Sequence, residues 1–200
     1  ATKEHPAHLY GKDFDGNGFY EQVITCFRPR DGRLQECLFV QKPDLQKRIP
    51  SIKTKFIRYS DYAKAGYEEI FSDKQREGAD VLMAQLSQSV VILNEKGQNF
   101  TIKPLPVQAQ YSPVRAIHTG DYNGDGKLDL LLAGNFFDIL TEMGRYDASF
   151  GLLMTGNGKG DFTPVESSKS GFFVRGQVRR MAEIRGPGGR RRLVLAKNND

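Results

Sequence analysis

Two nine-residue loops constrain this chain more than any other feature. "DFDGNGFYE" at 13–21 and "DYNGDGKLD" at 121–129 both place oxygen-bearing side chains at loop positions 1, 3, 5 and 9, and both run on into β-rich or apolar sequence, "EQVITCF" and "DLLLAG". Three carboxylates crowded into one turn repel each other unless a cation sits among them. An all-oxygen shell suits a hard ion: Ca2+ gathers roughly 6 to 8 oxygens at about 2.3 to 2.6 Å, and glycine lets the chain turn back around it. The expected ligands are Asp13, Asp15, Asn17, the Phe19 carbonyl and Glu21 in the first loop, and Asp121, Asn123, Asp125, the Lys127 carbonyl and Asp129 in the second.

An EF-hand is excluded at a definite place. Its loop requires a bidentate Glu at position 12 and flanking helices, and here Ile24 and Leu132 occupy that position. The apolar run after Asp129 is too short for a helix before Gly134 and Asn135 interrupt it, so a buried strand is expected there.

The sequence also repeats on a longer scale. "LLLAGN" at 130–135 returns as "LVLAKN" at 193–198, and the "FT" of Phe100 returns at Phe162 after a similar strand and glycine turn. A unit of about 60 residues is implied, reading strand, acidic loop, strand, long connection, strand, glycine turn, strand. Such a unit is a four-stranded antiparallel blade of the kind that propellers arrange radially. The units are expected at about 10–106, 107–167 and, incomplete, 168–200, within a single segment covering 1–200.

The first unit is too long by a block at about 43–78 that loses β alternation. Asp44, Ser51 and Ser60 are candidate helix starts there, so an insertion of two or three helices is expected. Its aromatics, Phe56, Tyr59, Tyr62, Tyr67 and Phe71, are expected to pack the insertion on the sheet, with sugar stacking as the alternative.

"GDYNGDGKLDLLLAGNF" together with "LLMTGNGKGDFTPV" resembles the FG-GAP/VCBS repeat family, the integrin-alpha-type β-propeller repeat whose D-x-[DN]-x-[DN]-G-x-x-D loop binds Ca2+ between two strands of a blade. The insertion and "LPVQAQYSPVRAI" are similar to VCBS-repeat proteins of Bacteroidetes-type bacteria that carry ASPIC/UnbV-like segments. The resemblance covers most of 10–200. It implies a mainly β chain, a partial propeller with two calcium loops, forming part of a larger exported bacterial protein found outside the cell, at its surface or in the periplasm. Its function would be that of a calcium-binding extracellular binding or adhesion module, with neighbouring blades and a protein or glycan ligand at the cell surface as partners; a purely structural calcium-stabilised domain of a secreted enzyme, or a glycan-binding module, is the alternative. The second loop is the closer match, because Glu21 replaces the family's position-9 aspartate. The third unit, "VRGQVRRMAEIRG", sets Gly176 and Gln177 against Gly120 and Asp121 and should bind no calcium; an arginine is expected to bond the loop carbonyls instead.

Other classes find little support. The net charge of +5 comes with one basic stretch, the seven arginines of 175–192, but no nucleic-acid-binding motif accompanies it, so a basic hairpin turn at "RGPGGRRR" is expected and no nucleic-acid partner. No apolar run reaches the length of about 18 residues that spans a membrane. His5 and His8 lie in an N-terminal stretch expected to fray, and His118 on a strand. The clustered carboxylates are already assigned to loops and no nucleophile or phosphate-loop motif occurs, so no enzyme is expected. An Asp31-Gly32 turn would set Cys26 opposite Cys37 in a hairpin, with both thiols expected to be free.

Overall fold

The computed structural model describes residues 1–139 and 144–198. The chain is mainly β and divides into two compact units, Ala1–Ser87 and Gln88–Asp200, where a single segment was expected.

In the first unit, β1 (Ala7–Lys12), β2 (Glu21–Arg30), β3 (Arg33–Leu38) and β4 (Asp80–Ala84) form one antiparallel sheet in the order β3-β2-β1-β4. Strand β2 alternates as a half-buried strand must: Glu21, Val23 and Thr25 are buried while Gln22 and Ile24 are exposed. The β2–β3 hairpin closes on Asp31 (φ 46) and Gly32 (φ 77), the two positive φ values a type I′ turn needs. That turn sets the register the sequence implied, with Arg28 opposite Gln35 and Cys26 opposite Cys37. Both cysteines are free, Cys26 half-buried and Cys37 buried.

Five short helices, not two or three, cover this sheet: α1 (Lys42–Arg48), α2 (Ser51–Lys55), α3 (Tyr59–Lys64), α4 (Tyr67–Ile70) and α5 (Asp73–Arg76). The expected caps are misplaced by one to three residues. Gln41, Pro50 and Arg58 precede the first three helices, and Asp44, Ser51 and Ser60 lie inside them. Helices of four to seven residues have no stability of their own, so packing decides where they start. Leu45, Ile49, Ile52, Phe56, Tyr62, Tyr67, Ile70 and Phe71 join Val23 and Phe14 in one core. Burial of one such large side chain contributes about 1.5–3 kcal/mol.

The second unit opens with the hairpin β5 (Val90–Glu95) and β6 (Asn99–Pro104), a two-stranded sheet of its own. It was expected to complete the first repeat; the tight turn after β2 instead gives that edge of β2 to β3. Strands β7 (Val114–Gly120), β8 (Asp129–Gly134), β9 (Leu152–Gly156) and β10 (Phe162–Val165) then form the four-stranded antiparallel meander that the repeat implied. Strand β8 is buried on both faces, Leu132 against Ala109 and Met154, and Ala133 against Ala116 and Val178. A one-turn helix, α6 (Ser167–Ser170), leads to the hairpin of β11 (Gln177–Arg185) and β12 (Arg191–Asn198), so the basic stretch does form a hairpin. Asn135, in the left-handed region at φ 80, ends β8; its amide donates to the carbonyls of Ser149 (2.8 Å) and Gly176 (3.0 Å) and accepts the Ser149 N–H (3.1 Å).

Candidate metal loops

The two acidic loops have the same internal wiring. In the first, Asp13 Oδ1 accepts the N–H groups of Gly16 (2.7 Å) and Asn17 (3.1 Å), and Oδ2 accepts that of Gly18 (2.8 Å). In the second, Asp121 accepts those of Gly124 (2.7 Å), Asp125 (3.2 Å) and Gly126 (2.8 Å). Position 3 accepts from position 5 in both (Asp15 from Asn17, 3.3 Å; Asn123 from Asp125, 2.9 Å), and position 5 from position 7 (Asn17 from Phe19, 2.8 Å; Asp125 from Lys127, 2.9 Å). Position 9 accepts from position 2: Glu21 from Phe14 and Asp129 from Tyr122, each at 2.9 Å. The glycines at positions 4 and 6 have φ between 76 and 87, and a Cβ added there would meet nothing, so backbone conformation alone calls for glycine.

The loops part at the far carboxylate. Glu21 is buried and returns one oxygen to the Phe14 N–H, so its longer side chain brings it beside the aspartates. Asp13, Asp15 and Glu21 each present an oxygen within 4.8 Å of the others, and this trio can hold a metal ion; it is the one such carboxylate group among the described residues. Its donor set is entirely oxygen, which fits a hard cation. Asp129 is fully buried, and its second oxygen accepts the N–H of Gly156 on β9 (2.9 Å), stapling loop to sheet. A Cβ on Gly156 would lie 2.1 Å from the Leu128 carbonyl oxygen, so only glycine allows that approach. Each loop has three carboxylates and one Asn, but in the second the uncharged residue, Asn123, stands at position 3, and Lys127 Nζ stands 3.4 Å from Asp125 Oδ2 as an internal cation. The second loop was the closer match in sequence, yet the first has the carboxylate geometry.

Hydrogen bonding holds two of these carboxyls below their ordinary value of 3.8: the Gly18 N–H foremost for Asp13, and the Lys127 N–H foremost for Asp125.

The third loop lies elsewhere than expected. Gln177 is the first residue of β11, and the turn equivalent to the acidic loops is Gly186–Arg190, where the Gly186 N–H bonds the Arg190 carbonyl (2.8 Å). The 63-residue offset between "LLLAGN" and "LVLAKN" leads to the same place. The turn carries no carboxylate, and no described arginine bonds its carbonyls through a side chain. Arg179 donates instead to Asp138 (3.4 Å), which Gln177 and Asn198 also reach.

Two other expectations change. Of the tyrosines weighed for sugar stacking, Tyr62 and Tyr67 are buried and only Tyr59 is exposed. His8 is not in a frayed end: it pairs within β1, and its Nδ1 lies 2.7 Å from Glu36 Oε1, which also accepts from the hydroxyls of Tyr10 (3.0 Å) and Thr25 (2.5 Å). Burial, and next the Glu36 charge, raise the Tyr10 hydroxyl well above its ordinary pKa. His118 stands on β7 with Nδ1 2.5 Å from the Tyr122 hydroxyl. Among the described residues no helix is long and apolar enough to cross a membrane. Comparison with protein-family models, curated proteins and solved structures returned no match.

Proposed function

We propose that this chain is a calcium-stabilised binding module of FG-GAP/VCBS type, part of the β-propeller of an exported bacterial protein, in which ion-pinned loops hold a surface that engages a partner outside the cell. The observation carrying this reading is the recurrence of one six-bond loop scaffold at positions 13–21 and 121–129, with three carboxylates converging in the first. Asp13, Asp15 and Glu21 would hold the ion, with Asn17 and the Phe19 carbonyl as further oxygens; Asp121, Asn123, Asp125, Asp129 and the Lys127 carbonyl would form the second, weaker site. When bound, the ion offsets most of the loop's negative charge and adds stability by linkage: 5 mM calcium at dissociation constants of about 10⁻⁴–10⁻³ M contributes about 1–2 kcal/mol.

Thermal unfolding in EGTA against a calcium titration tests this. The midpoint should rise with calcium in the wild type, lose most of that rise in Asp13→Ala/Asp15→Ala, and keep most of it in Asp121→Ala/Asp125→Ala. A wild type without any calcium response would reduce both loops to plain turns.

One observation favours a glycan as the partner. A hollow of about 410 Å³ in the second unit is lined by Tyr111, Phe150 and Phe173, with Gln108, Ser149 and Glu166 beside them. All three rings are exposed, and Phe150 and Phe173 stack at 5.2 Å. Flat apolar faces beside hydrogen-bonding groups suit the two-sided chemistry of a sugar. A glycan-array signal abolished by Tyr111→Ala would support this reading, and a signal indifferent to that change would remove it.

A further inference from the structure

The first unit buries a cation without an anion. Lys42, at the start of α1, is 5% exposed. Its ammonium has three donors; one reaches the Ile57 carbonyl at 3.3 Å, and the group sits 4.6 Å from the centre of the Tyr59 ring. No described carboxylate pairs with it. Burying an unpaired ammonium is costly, and the cost is offset when an opposite charge comes in with it.

Lys42 lines a cavity of about 260 Å³. Leu38, Phe39, Val40, Tyr62 and Ile70 give it an apolar wall; Arg28 and Arg30, two apart and so on one face of β2, add two more cations, and no Asp or Glu takes part. The Tyr62 hydroxyl is already committed to the Val40 carbonyl (2.8 Å), and Gln41 and Tyr59 complete the polar part of the lining. A mostly apolar cavity with a few convergent polar groups is the usual form of a small-molecule site. We propose that this cavity binds a small amphipathic organic anion, its flat apolar body against the wall and its carboxylate or sulfonate facing Lys42, Arg28 and Arg30. The site is independent of the calcium loops.

The cavity carries its own reporter, since Cys37 is one of its lining residues and is buried. The probes are 2-naphthoate and its neutral counterpart 2-naphthalenemethanol, titrated calorimetrically into the intact chain. Naphthoate should bind below about 1 mM and at least tenfold more tightly than the alcohol. Lys42→Met, of similar length and apolar, should remove that preference and leave the alcohol's affinity within twofold. Ala63→Trp, at the cavity wall, should abolish binding of both. In Cys26→Ser, which leaves Cys37 as the single thiol, saturating naphthoate should slow labelling of Cys37 at least fivefold; this readout uses an intact cavity and stands even if Lys42→Met fails to fold. Failure of naphthoate to bind or to protect Cys37 at 5 mM overturns the proposal. So does equal affinity for acid and alcohol, or binding that survives Ala63→Trp.

Discussion

Asp129 and Glu21 occupy the same loop position and do different work. Asp129 gives one oxygen to the Tyr122 N–H and the other to the Gly156 N–H from a fully buried position, so both of its oxygens already serve the protein. Hydrogen bonds to a charged group contribute about 1.5–3 kcal/mol each. Asp129→Ala should therefore lower the stability of the second unit by about 3 kcal/mol in urea unfolding, equally in EGTA and in calcium. A loss seen only in calcium would make Asp129 an ion ligand first. The position-1 and position-5 carboxyls predict a pH dependence. Asp13 and Asp125 titrate below 3.8 in the folded chain, so their contribution is present above that value and is lost as pH falls through the lower folded ones. A calcium-free midpoint followed from pH 6 to 2.5 should fall at the acid end, and Asp13→Asn should flatten part of that fall. A midpoint indifferent to Asp13 would mean that its backbone bonds form equally well to the neutral acid.

At the scale of elements, local chemistry was legible where a turn or a charge pattern decides. The Asp31-Gly32 pair set the hairpin register to the residue, and the acidic loops feed strands as expected. The starts of α1, α2 and α3 were not legible, because no side chain caps them. In α4, the Gly66 N–H is met by Glu69 (2.6 Å), and in α5 the Ser72 N–H by Gln75 (3.1 Å), while the apolar face docked on the sheet positions the rest. Phe71, fully buried and 4.4 Å from the Phe14 ring, anchors that face beside the first acidic loop. Phe71→Ala should cost about 3–5 kcal/mol and also weaken the calcium response by loosening Phe14, whose N–H holds Glu21. An unchanged calcium midpoint shift in that variant would separate the loop from the helical core.

For the whole molecule, the 60-residue repeat predicted one segment, and contacts divide the chain after Ser87. Each unit has its own core, with twelve buried residues in the cluster of the first and two smaller clusters in the second. Stability reported amide by amide follows such cooperative units. Hydrogen exchange of Phe71→Ala should accordingly lose protection across Ala1–Ser87 and leave β8 and β9 as they were. Loss of protection throughout would mean that the two units unfold together. The repeat failed to foresee this division because β5–β6 resembles β9–β10 in sequence, and resemblance does not say which strand edge is free. Once β3 has folded back on β2, the edge that β5 would have taken is occupied.

Sequence alone determined what depends on neighbours in the chain: two oxygen-rich loops with glycines at their positive-φ positions, strands after each, a tight hairpin at Asp31-Gly32, and a helical block between strands. Spacing along a few residues fixes a loop's hydrogen bonds before any other part of the protein is present. Tertiary structure alone decided which carboxylates meet. The ninth residue of each loop gives one oxygen to the loop itself; in Asp129 the second oxygen is taken by a Gly156 N–H that lies 27 residues further on in sequence, whereas Glu21 presents an oxygen beside Asp13 and Asp15. The buried ammonium of Lys42 is of the same kind: nothing in "QKPDL" marks it, and only the folding of α1 and α3 against the sheet removes it from water.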